Sequence, residues 1–230
     1  MRHRTRVLTT GILLSTVLLT GRLDVTQTMD SPSKLTAATL DQWMDDLSNW
    51  GRWGKEDELG TLNLITPKER RQAAALVTGG ISVSLAFDLA KEANVNNEYP
   101  LEHSLRVHEN DGGVFAEDTY TIRYHGLVHS HVDALCHIFH RGKMYNGFWR
   151  SEVKPSGAEK LGVQHMKQGI FTRGVLVDVP WLKGVPYLEP GTAVRVEDLE
   201  EWERRTGIKV ASGDVLLVRT GVYKRQREVG

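Results

Sequence analysis

Histidine is concentrated in one short part of this 230-residue chain. Five of the nine histidines lie in the sixteen residues from His125 to His140, and Asp133 lies among them. Imidazole nitrogens and carboxylate oxygens bind transition metals, and imidazole also transfers protons near neutral pH. The single cysteine, Cys136, excludes an intramolecular disulfide and a zinc cluster built from cysteines. A transition-metal site in this chain must therefore be built from histidine and carboxylate.

The spacing within this segment predicts which side chains share a face. In an extended strand alternate side chains point the same way, so His129, His131 and Asp133 would converge. Two imidazoles and a carboxylate suit zinc, manganese or iron. His137 follows the aspartate by four residues, close enough to act on a metal-bound water without being a ligand. The alternative is that individual histidines are structural and hydrogen-bond to the backbone, and Cys136 is interpreted as a small buried hydrophobe.

Three helices are predicted around this segment. Thr66, Pro67 and Glu69 form a capping box with proline at the first helical position, and that helix is expected to run through Val77. Val196 to Arg205 has acidic residues early and arginines late, and Gly207 closes it. A shorter helix is predicted over Leu40 to Leu47, and no helix is expected near the C-terminus.

Apolar patterning predicts four strands. Their ranges are Ile81–Phe87, Thr119–Tyr124, Gly174–Val179 and Asp214–Thr220. Composition suggests that the last two are buried on both faces. The fold class is therefore predicted to be α/β or α+β with a substantial sheet.

The overall composition excludes several classes of protein. The chain is 40% hydrophobic and 25% charged, as in an ordinary soluble domain, which excludes disorder, collagen and coiled coil. It has 29 basic and 29 acidic side chains, so the balance argues against a surface that binds nucleic acid.

The first thirty residues are predicted to be separate from the domain at 31–230. Three arginines precede the mostly apolar stretch Val7 to Gly21, as in a secretory signal or an N-terminal anchor, and the stretch is short for a membrane span. A secreted or periplasmic location follows if this signal is used, and a cytoplasmic one otherwise. The alternative is that translation starts at Met29, before a polar linker.

The histidine-rich motif shares features with three metallohydrolase patterns. The metallo-β-lactamase pattern HxHxDH is incomplete because Ala134 replaces its last histidine, and the HxH of barrel amidohydrolases comes earlier in the chain. The pattern HxGTHxDxPxH matches best from Ser130 to His137. Together with NWGRWG at 49–54, GTLN at 60–63 and GKMYNG at 142–147, it resembles the putative cyclase family, which includes bacterial kynurenine formamidase and isatin hydrolase.

The resemblance implies a fold, an activity and roles for single residues. The fold would be a layered β/β/α domain of the swivelling type with a central mixed sheet. The activity would be metal-dependent hydrolysis of an amide C–N bond in a small arylformamide or cyclic amide, with Zn or Mn and a homo-oligomeric assembly. His131 would be a metal ligand, Asp133 a ligand able to bridge two metals, and His137 the catalytic acid and base. Trp50 and Trp53 are candidates for binding an aryl substrate.

Departures from the family pattern leave an alternative open. The first ligand histidine of the pattern falls on Leu127, so His129, or alternatively His125, would supply the missing imidazole. Family members also carry a later histidine and glutamate, about a hundred residues on, so the chain is expected to be truncated at its C-terminal side. The alternative function is a non-catalytic binding or scaffold protein with the same fold.

Overall fold

The computed structural model describes residues 36–126 and 128–229. The signal or anchor predicted at residues 1–30 lies outside them, as does Leu127. Five α-helices occur in the described part: α1 Ala37–Asp46, α2 Pro67–Ala75, α3 Val179–Lys183, α4 Val196–Thr206 and α5 Val222–Val229. No helix among these residues is long and apolar enough to cross a membrane.

Six strands form three separate two-stranded sheets within the described residues. The strands are β1 Glu102–Asn110, β2 Gly113–Thr121, β3 Val153–Lys154, β4 Gly157–Ala158, β5 Gly174–Asp178 and β6 Val215–Arg219. Strands β1 and β2 form an antiparallel hairpin, β3 and β4 a very short one, and β5 and β6 a parallel pair. The predicted mixture of helix and strand is confirmed, but these six strands do not join into one central sheet.

Local signals placed two of the helices correctly. Thr66 and Glu69 make the expected capping box at the start of α2, although the helix ends at Ala75 rather than Val77. Helix α4 ends at Thr206 and is capped by Gly207, whose φ of 70° is the left-handed conformation that glycine adopts most easily. Helix α1 lies close to its predicted range. Helix α5 was not expected, and its Tyr223 ring stacks on Phe87 with centroids 4.4 Å apart.

The parallel pair β5–β6 carries the larger of two small cores. Val175, Val177 and Val179 pack with Leu182 and Leu188, and Trp202 of α4 completes the cluster. An ion pair fixes each end of the sheet, because Arg173 binds Asp214 and Arg219 binds Asp178. The expectation that both strands are buried on both faces is wrong. Leu176 is 55% exposed and Leu216 41%, since the two strands have no further neighbour among the described residues.

The strand predicted at Ile81–Phe87 is absent. Ile81, Val83, Leu85 and Phe87 alternate as expected, yet each is exposed and no described strand pairs with this segment. Alternation alone does not make a strand, because the extended conformation is stabilised by a hydrogen-bonded neighbour. The hairpin strand β1 was not predicted, because its sequence EHSLRVHEN is mostly polar. Its partner β2 covers Gly113–Thr121, so the strand predicted at 119–124 begins six residues earlier and ends three residues earlier than expected.

Candidate functional site

The histidine-rich segment is irregular rather than extended in a strand. Residues 122–126 and 128–134 contain no strand, and of the three side chains expected to converge, His131 and Asp133 lie side by side at 3.5 Å, whereas neither ring nitrogen of His129 has a partner among the described residues. The chain bends at Gly126, whose φ of 115° is readily available only to glycine. The bend allows His125 to return to Asp133, eight residues later.

Asp133 lies at the centre of three imidazoles. Its Oδ1 is 3.0 Å from Nδ1 of His125 and 3.0 Å from Nδ1 of His137, and its Oδ2 is 3.5 Å from Nε2 of His131. The hydrogen bond from His137 lowers the pKa of Asp133 most strongly; desolvation opposes this shift, and the charges of His131, His125 and His137 add to the lowering. The carboxylate is therefore ionised at neutral pH and accepts hydrogen bonds only.

The aromatic rings in this cluster pack against one another. The ring of His125 is 4.7 Å from that of His137 and 5.3 Å from that of His131, centroid to centroid. The ring of Tyr124 also packs against that of His125, with centroids 4.7 Å apart. The backbone carbonyl of His129 accepts a hydrogen bond from Nδ1 of His131 at 2.8 Å. This leaves Nε2 of His131 directed at the carboxylate.

Two buried side chains anchor the turn that carries His137. Ala134 and Cys136 alternate with Asp133 and His137 and enter a core formed with Met144 and Leu161. Cys136 is 4% exposed, which confirms its interpretation as a small buried hydrophobe, and burial raises the pKa of its thiol. The alternation between 133 and 137 turns Asp133 and His137 toward solvent together. The buried side chains of Ala134 and Cys136 therefore hold in place the turn that carries the hydrogen bond between Asp133 and His137.

Three side chains meet the requirements of a divalent-metal site. His125, Asp133 and His137 each offer one donor atom, and these atoms lie within 4.8 Å of one another. Nitrogen and oxygen donors in this combination suit zinc or manganese. Of the predicted site residues, the structure thus brings together Asp133, His137 and His131, with His125 as the additional imidazole. The role of each residue stays a prediction.

His129 has a different environment. It is only 5% exposed, and neither ring nitrogen has a hydrogen-bond partner among the described residues. Buried polar atoms are almost always hydrogen-bonded, and an unpaired one costs about 1–3 kcal/mol. An imidazole in this condition fits metal coordination. It is not, however, among the three side chains whose donor atoms come within 4.8 Å of one another.

The two tryptophans predicted to bind substrate lie on one loop. Trp50 is 42% exposed and lines a groove of about 560 Å³ together with Trp43 of α1, Met44 and His140. The guanidinium of Arg52 lies over Trp53, with its central carbon 4.8 Å from the centroid of the Trp53 ring. Neither tryptophan is part of the cluster around Asp133, and a role in substrate binding stays a prediction.

A hydrogen-bond network joins this loop to the segment after the cluster. The Asp57 carboxylate accepts hydrogen bonds from Asn63 Nδ2 at 2.7 Å, from Tyr145 Oη at 2.9 Å and from the Gly60 amide at 2.9 Å. Asn146 donates to the Gly54 and Asp57 carbonyls. Asn63, Tyr145 and Asn146 were predicted only as parts of motifs, and Asp57 was not singled out. The signal that was available is an acid and an amide at 57 and 63 with a tyrosine about 90 residues after the acid.

Fold and site together define a mixed α/β protein with a histidine and carboxylate cluster suited to a divalent metal. The sequence matches the family model described as putative cyclase over residues 23–229. Because this match covers most of the chain, the protein belongs to the putative cyclase family, and the resemblance found from the motifs is confirmed.

A solved relative supports this assignment. The crystal structure described as that of a novel cyclase superimposes with a TM-score of 0.73 and is 30% identical in sequence. The similarity covers 81% of this chain and 65% of that one, so this chain spans less than two thirds of the relative's length. The comparison with curated proteins gives no match.

Proposed function

We propose that this protein is a metal-dependent hydrolase that cleaves the amide C–N bond of a small arylformamide or cyclic amide. The observation that carries the proposal is the Asp133 carboxylate with His125 and His137 each at 3.0 Å. Membership of the putative cyclase family supports an enzymatic role. The finer assignment of substrate and reaction rests on the motif resemblance and on the chemistry of these side chains.

The chain's own residues would hold the metal on one side of the cluster. His125 and Asp133 supply a nitrogen and an oxygen donor, and His131 is directed at the same carboxylate. His129 is the further candidate ligand, because its buried nitrogens lack partners among the described residues. A zinc or manganese ion bound there would polarise the substrate carbonyl and lower the pKa of water.

His137 is proposed to transfer the proton. Asp133 accepts the hydrogen bond, so Nδ1 of His137 must be the donor, and Nε2 of a neutral ring is left as an acceptor. The carboxylate therefore orients the imidazole as well as fixing its tautomer. From that position Nε2 can take a proton from water and return it to the departing nitrogen. Trp50 and Trp53 are the proposed contacts for an aryl group.

Metal analysis of the purified protein tests the proposal. We expect stoichiometric Zn or Mn in the wild type and loss of the metal in Asp133→Ala and His131→Ala. His108→Ala is the matched control, because His108 also pairs with a carboxylate, Glu117 at 2.9 Å, but lies on the hairpin away from the cluster. Wild type that cannot be loaded with Zn or Mn, or a metal content that His108→Ala lowers equally, would contradict the metal site.

His137→Ala separates the two roles open to this residue. A proton-transfer role predicts that the variant keeps its metal and loses hydrolysis of an N-formyl arylamine, by about 10²–10⁴-fold. A ligand role predicts that metal and activity are lost together. Full activity in the variant would refute both.

The second candidate is a binding or scaffold protein without turnover. Leu127 at a ligand position and the open cluster favour it, since His125 is 54% exposed and Asp133 51%. Catalytic metal sites usually exclude bulk water more completely. Stoichiometric metal without hydrolysis of any arylformamide or cyclic amide tested would support this candidate against the hydrolase.

A further inference from the structure

Leu161 has a backbone conformation that residues other than glycine seldom adopt. Its φ of 62° lies in the left-handed region, which is unfavourable for any residue with a Cβ atom. Its side chain is only 1% exposed and packs with Ala134 and Cys136, which belong to the segment that carries His137. Glycine would relieve the backbone but leave a hole in this core. A strained residue of this kind persists only where its surroundings hold it.

The carboxylate of Glu58 holds Leu161 in this conformation. Its Oε2 accepts a hydrogen bond from the Leu161 amide at 2.6 Å and lies 3.0 Å from Nε2 of His165. Its Oε1 accepts a hydrogen bond from Nζ of Lys160 at 3.2 Å. The Glu58 side chain is only 14% exposed, and hydrogen bonds to a carboxylate are stronger than those between neutral groups. Glu58 therefore ties the backbone at 160–161 to the loop at 49–64.

The carbonyl oxygen of Leu161 binds the turn that carries His137. It accepts a hydrogen bond from the Cys136 amide at 3.3 Å. Cys136 is the middle residue of the short turn Leu135–His137, so this hydrogen bond is made one residue before the imidazole. The φ and ψ angles of Leu161 set the angle between its N–H, which binds Glu58, and its C=O. Glu58 and Cys136 are thus joined through one strained residue.

We propose that Glu58 is a positioning residue for His137 and acts through Leu161 and Cys136. Glu58 makes no hydrogen bond to the cluster around Asp133 within the part of the chain that the structure describes. Its carboxylate sets the conformation of Leu161, and the Leu161 carbonyl then fixes the turn. A displacement of about 1 Å at a catalytic group can lower a rate about a hundredfold. This consequence for catalysis rests on the proposed hydrolase function, whereas the effect on the turn does not.

Two variants of Glu58 separate the length of the side chain from its charge. Glu58→Gln keeps the length and an oxygen that can accept from the Leu161 amide, but it loses the charge that pairs with Lys160. Glu58→Asp keeps the charge but is one carbon shorter, which draws the carboxylate away from the amide. Positioning through Leu161 predicts that Glu58→Gln resembles the wild type and Glu58→Asp does not. An ion pair that only stabilises the fold predicts the reverse.

Amide hydrogen exchange of the purified protein measures the turn without any assay of activity. The Cys136 amide should exchange about tenfold faster in Glu58→Asp than in the wild type, and Glu58→Gln should stay within about threefold. The Leu188 amide is the internal reference, because it donates to the Thr220 carbonyl at 2.9 Å in the other core and should be unchanged. Unchanged exchange at Cys136 in Glu58→Asp, faster exchange in Glu58→Gln than in Glu58→Asp, or equal acceleration at Leu188 would overturn the proposal.

Hydrolysis of an N-formyl arylamine measures the consequence for catalysis. Glu58→Asp should lower kcat by about tenfold to a hundredfold and leave KM within about twofold, because a misplaced imidazole weakens binding of the transition state and not of the substrate. Glu58→Gln should keep most of the wild-type kcat.

Arg173→Met is the control for a general loss of stability. Arg173 pairs with Asp214 at the sheet β5–β6, so this variant should keep the wild-type kcat per folded molecule. Equal losses of kcat in Glu58→Asp and Arg173→Met would overturn the positioning role. A wild type without turnover would contradict the hydrolase instead, and the exchange of the Cys136 amide would still decide the role of Glu58.

Discussion

Asp57→Asn should destabilise the protein, because the Asp57 carboxylate joins the loop at 49–64 to Tyr145. The carboxylate accepts hydrogen bonds on both oxygens, from Asn63 on Oδ1 and from Tyr145 and Gly60 on Oδ2. An asparagine amide must point its NH₂ group at one of these donors. At least one hydrogen bond to a charged group is therefore lost, and the others become neutral.

The magnitude follows from the number of donors. A hydrogen bond to a charged group contributes about 1.5–3 kcal/mol, and the contributions in one network are not additive. We expect the free energy of unfolding to fall by about 3 kcal/mol, which for a urea m-value of about 2 kcal/mol/M lowers the midpoint by about 1.5 M. Asp111→Asn is the control, because the Asp111 carboxylate makes no hydrogen bond to the described residues. A loss below about 1 kcal/mol, or one equal to that of the control, would refute the reasoning.

The pH dependence gives an independent check on the same network. Burial alone would raise the pKa of Asp57, but the hydrogen bonds from Asn63, Gly60, Tyr145 and Leu59 outweigh it, so the pKa lies below its usual value. A carboxyl with a lowered folded-state pKa stabilises the protein above its unfolded pKa, about 3.9, and this contribution is lost as the pH falls through the folded pKa. The difference in stability between wild type and Asp57→Asn should therefore shrink below about pH 4. A difference that stays constant into acid would contradict this account.

Tyrosine titration reports on the other end of the network. Burial, with the hydrogen bond to Asp57 and its charge, raises the pKa of Tyr145 to about 12. The usual value is about 10, so ionised tyrosine is disfavoured and its contribution to stability is lost only as the pH rises from about 10 through 12. Absorbance titration should show one tyrosine moving toward its usual pKa in Asp57→Asn. An unchanged titration would mean that the two side chains are not coupled in solution.

Two further predictions concern the support of the sheet β5–β6. Gly213→Ala should lower the free energy of unfolding in urea by more than about 2 kcal/mol, because a Cβ there would lie 2.7 Å from the Leu64 carbonyl oxygen. Gly191 has a similar φ of 86° but no atom within 4 Å of such a Cβ, so Gly191→Ala should lower it by only about 1 kcal/mol. Equal losses would contradict the close approach. Arg173→Met should destabilise by about 2 kcal/mol at neutral pH, because it leaves the Asp214 carboxylate, only 7% exposed, without its charged partner. The loss should diminish in acid, since the hydrogen bond from Arg173 lowers the pKa of Asp214; a pH-independent loss would exclude this cause.

Local signals in the sequence predicted those parts of the fold whose partners are close along the chain. The capping box of Thr66 and Glu69 and the glycine that ends α4 each involve a few consecutive residues. Strands depend on distant partners, and there the patterns misled. Ile81–Phe87 has the right alternation but no strand beside it, whereas the polar strand β1 is held by β2 across a tight turn.

In the candidate site, too, the contacts between residues close along the chain could be predicted and the others could not. The contact of Asp133 with His137 spans four residues and follows from a short turn, so the spacing could predict it. The contact of Asp133 with His125 depends on a bend at Gly126 that alternation cannot reveal. Which of His125 and His129 comes near Asp133 therefore depends on the backbone path. The buried position of His129 could not be predicted either, because it depends on packing across the molecule.

The geometry of the cluster also depends on residues that never contact it. A Cβ at Gly60 would lie 3.5 Å from the Leu135 side chain, and Leu135 begins the turn that ends at His137. Asp57 accepts hydrogen bonds from the Gly60 amide and the Tyr145 hydroxyl, and Tyr145 packs against the core that contains Ala134 and Cys136, so the loop and the turn are joined. Because Ala134 and Cys136 fix the same turn from the core side, the imidazole of His137 is held between two supports. Loosening the Asp57 network should therefore change the position of the His137 imidazole more than that of the His125 imidazole. The position of His125 depends instead on the bend at Gly126.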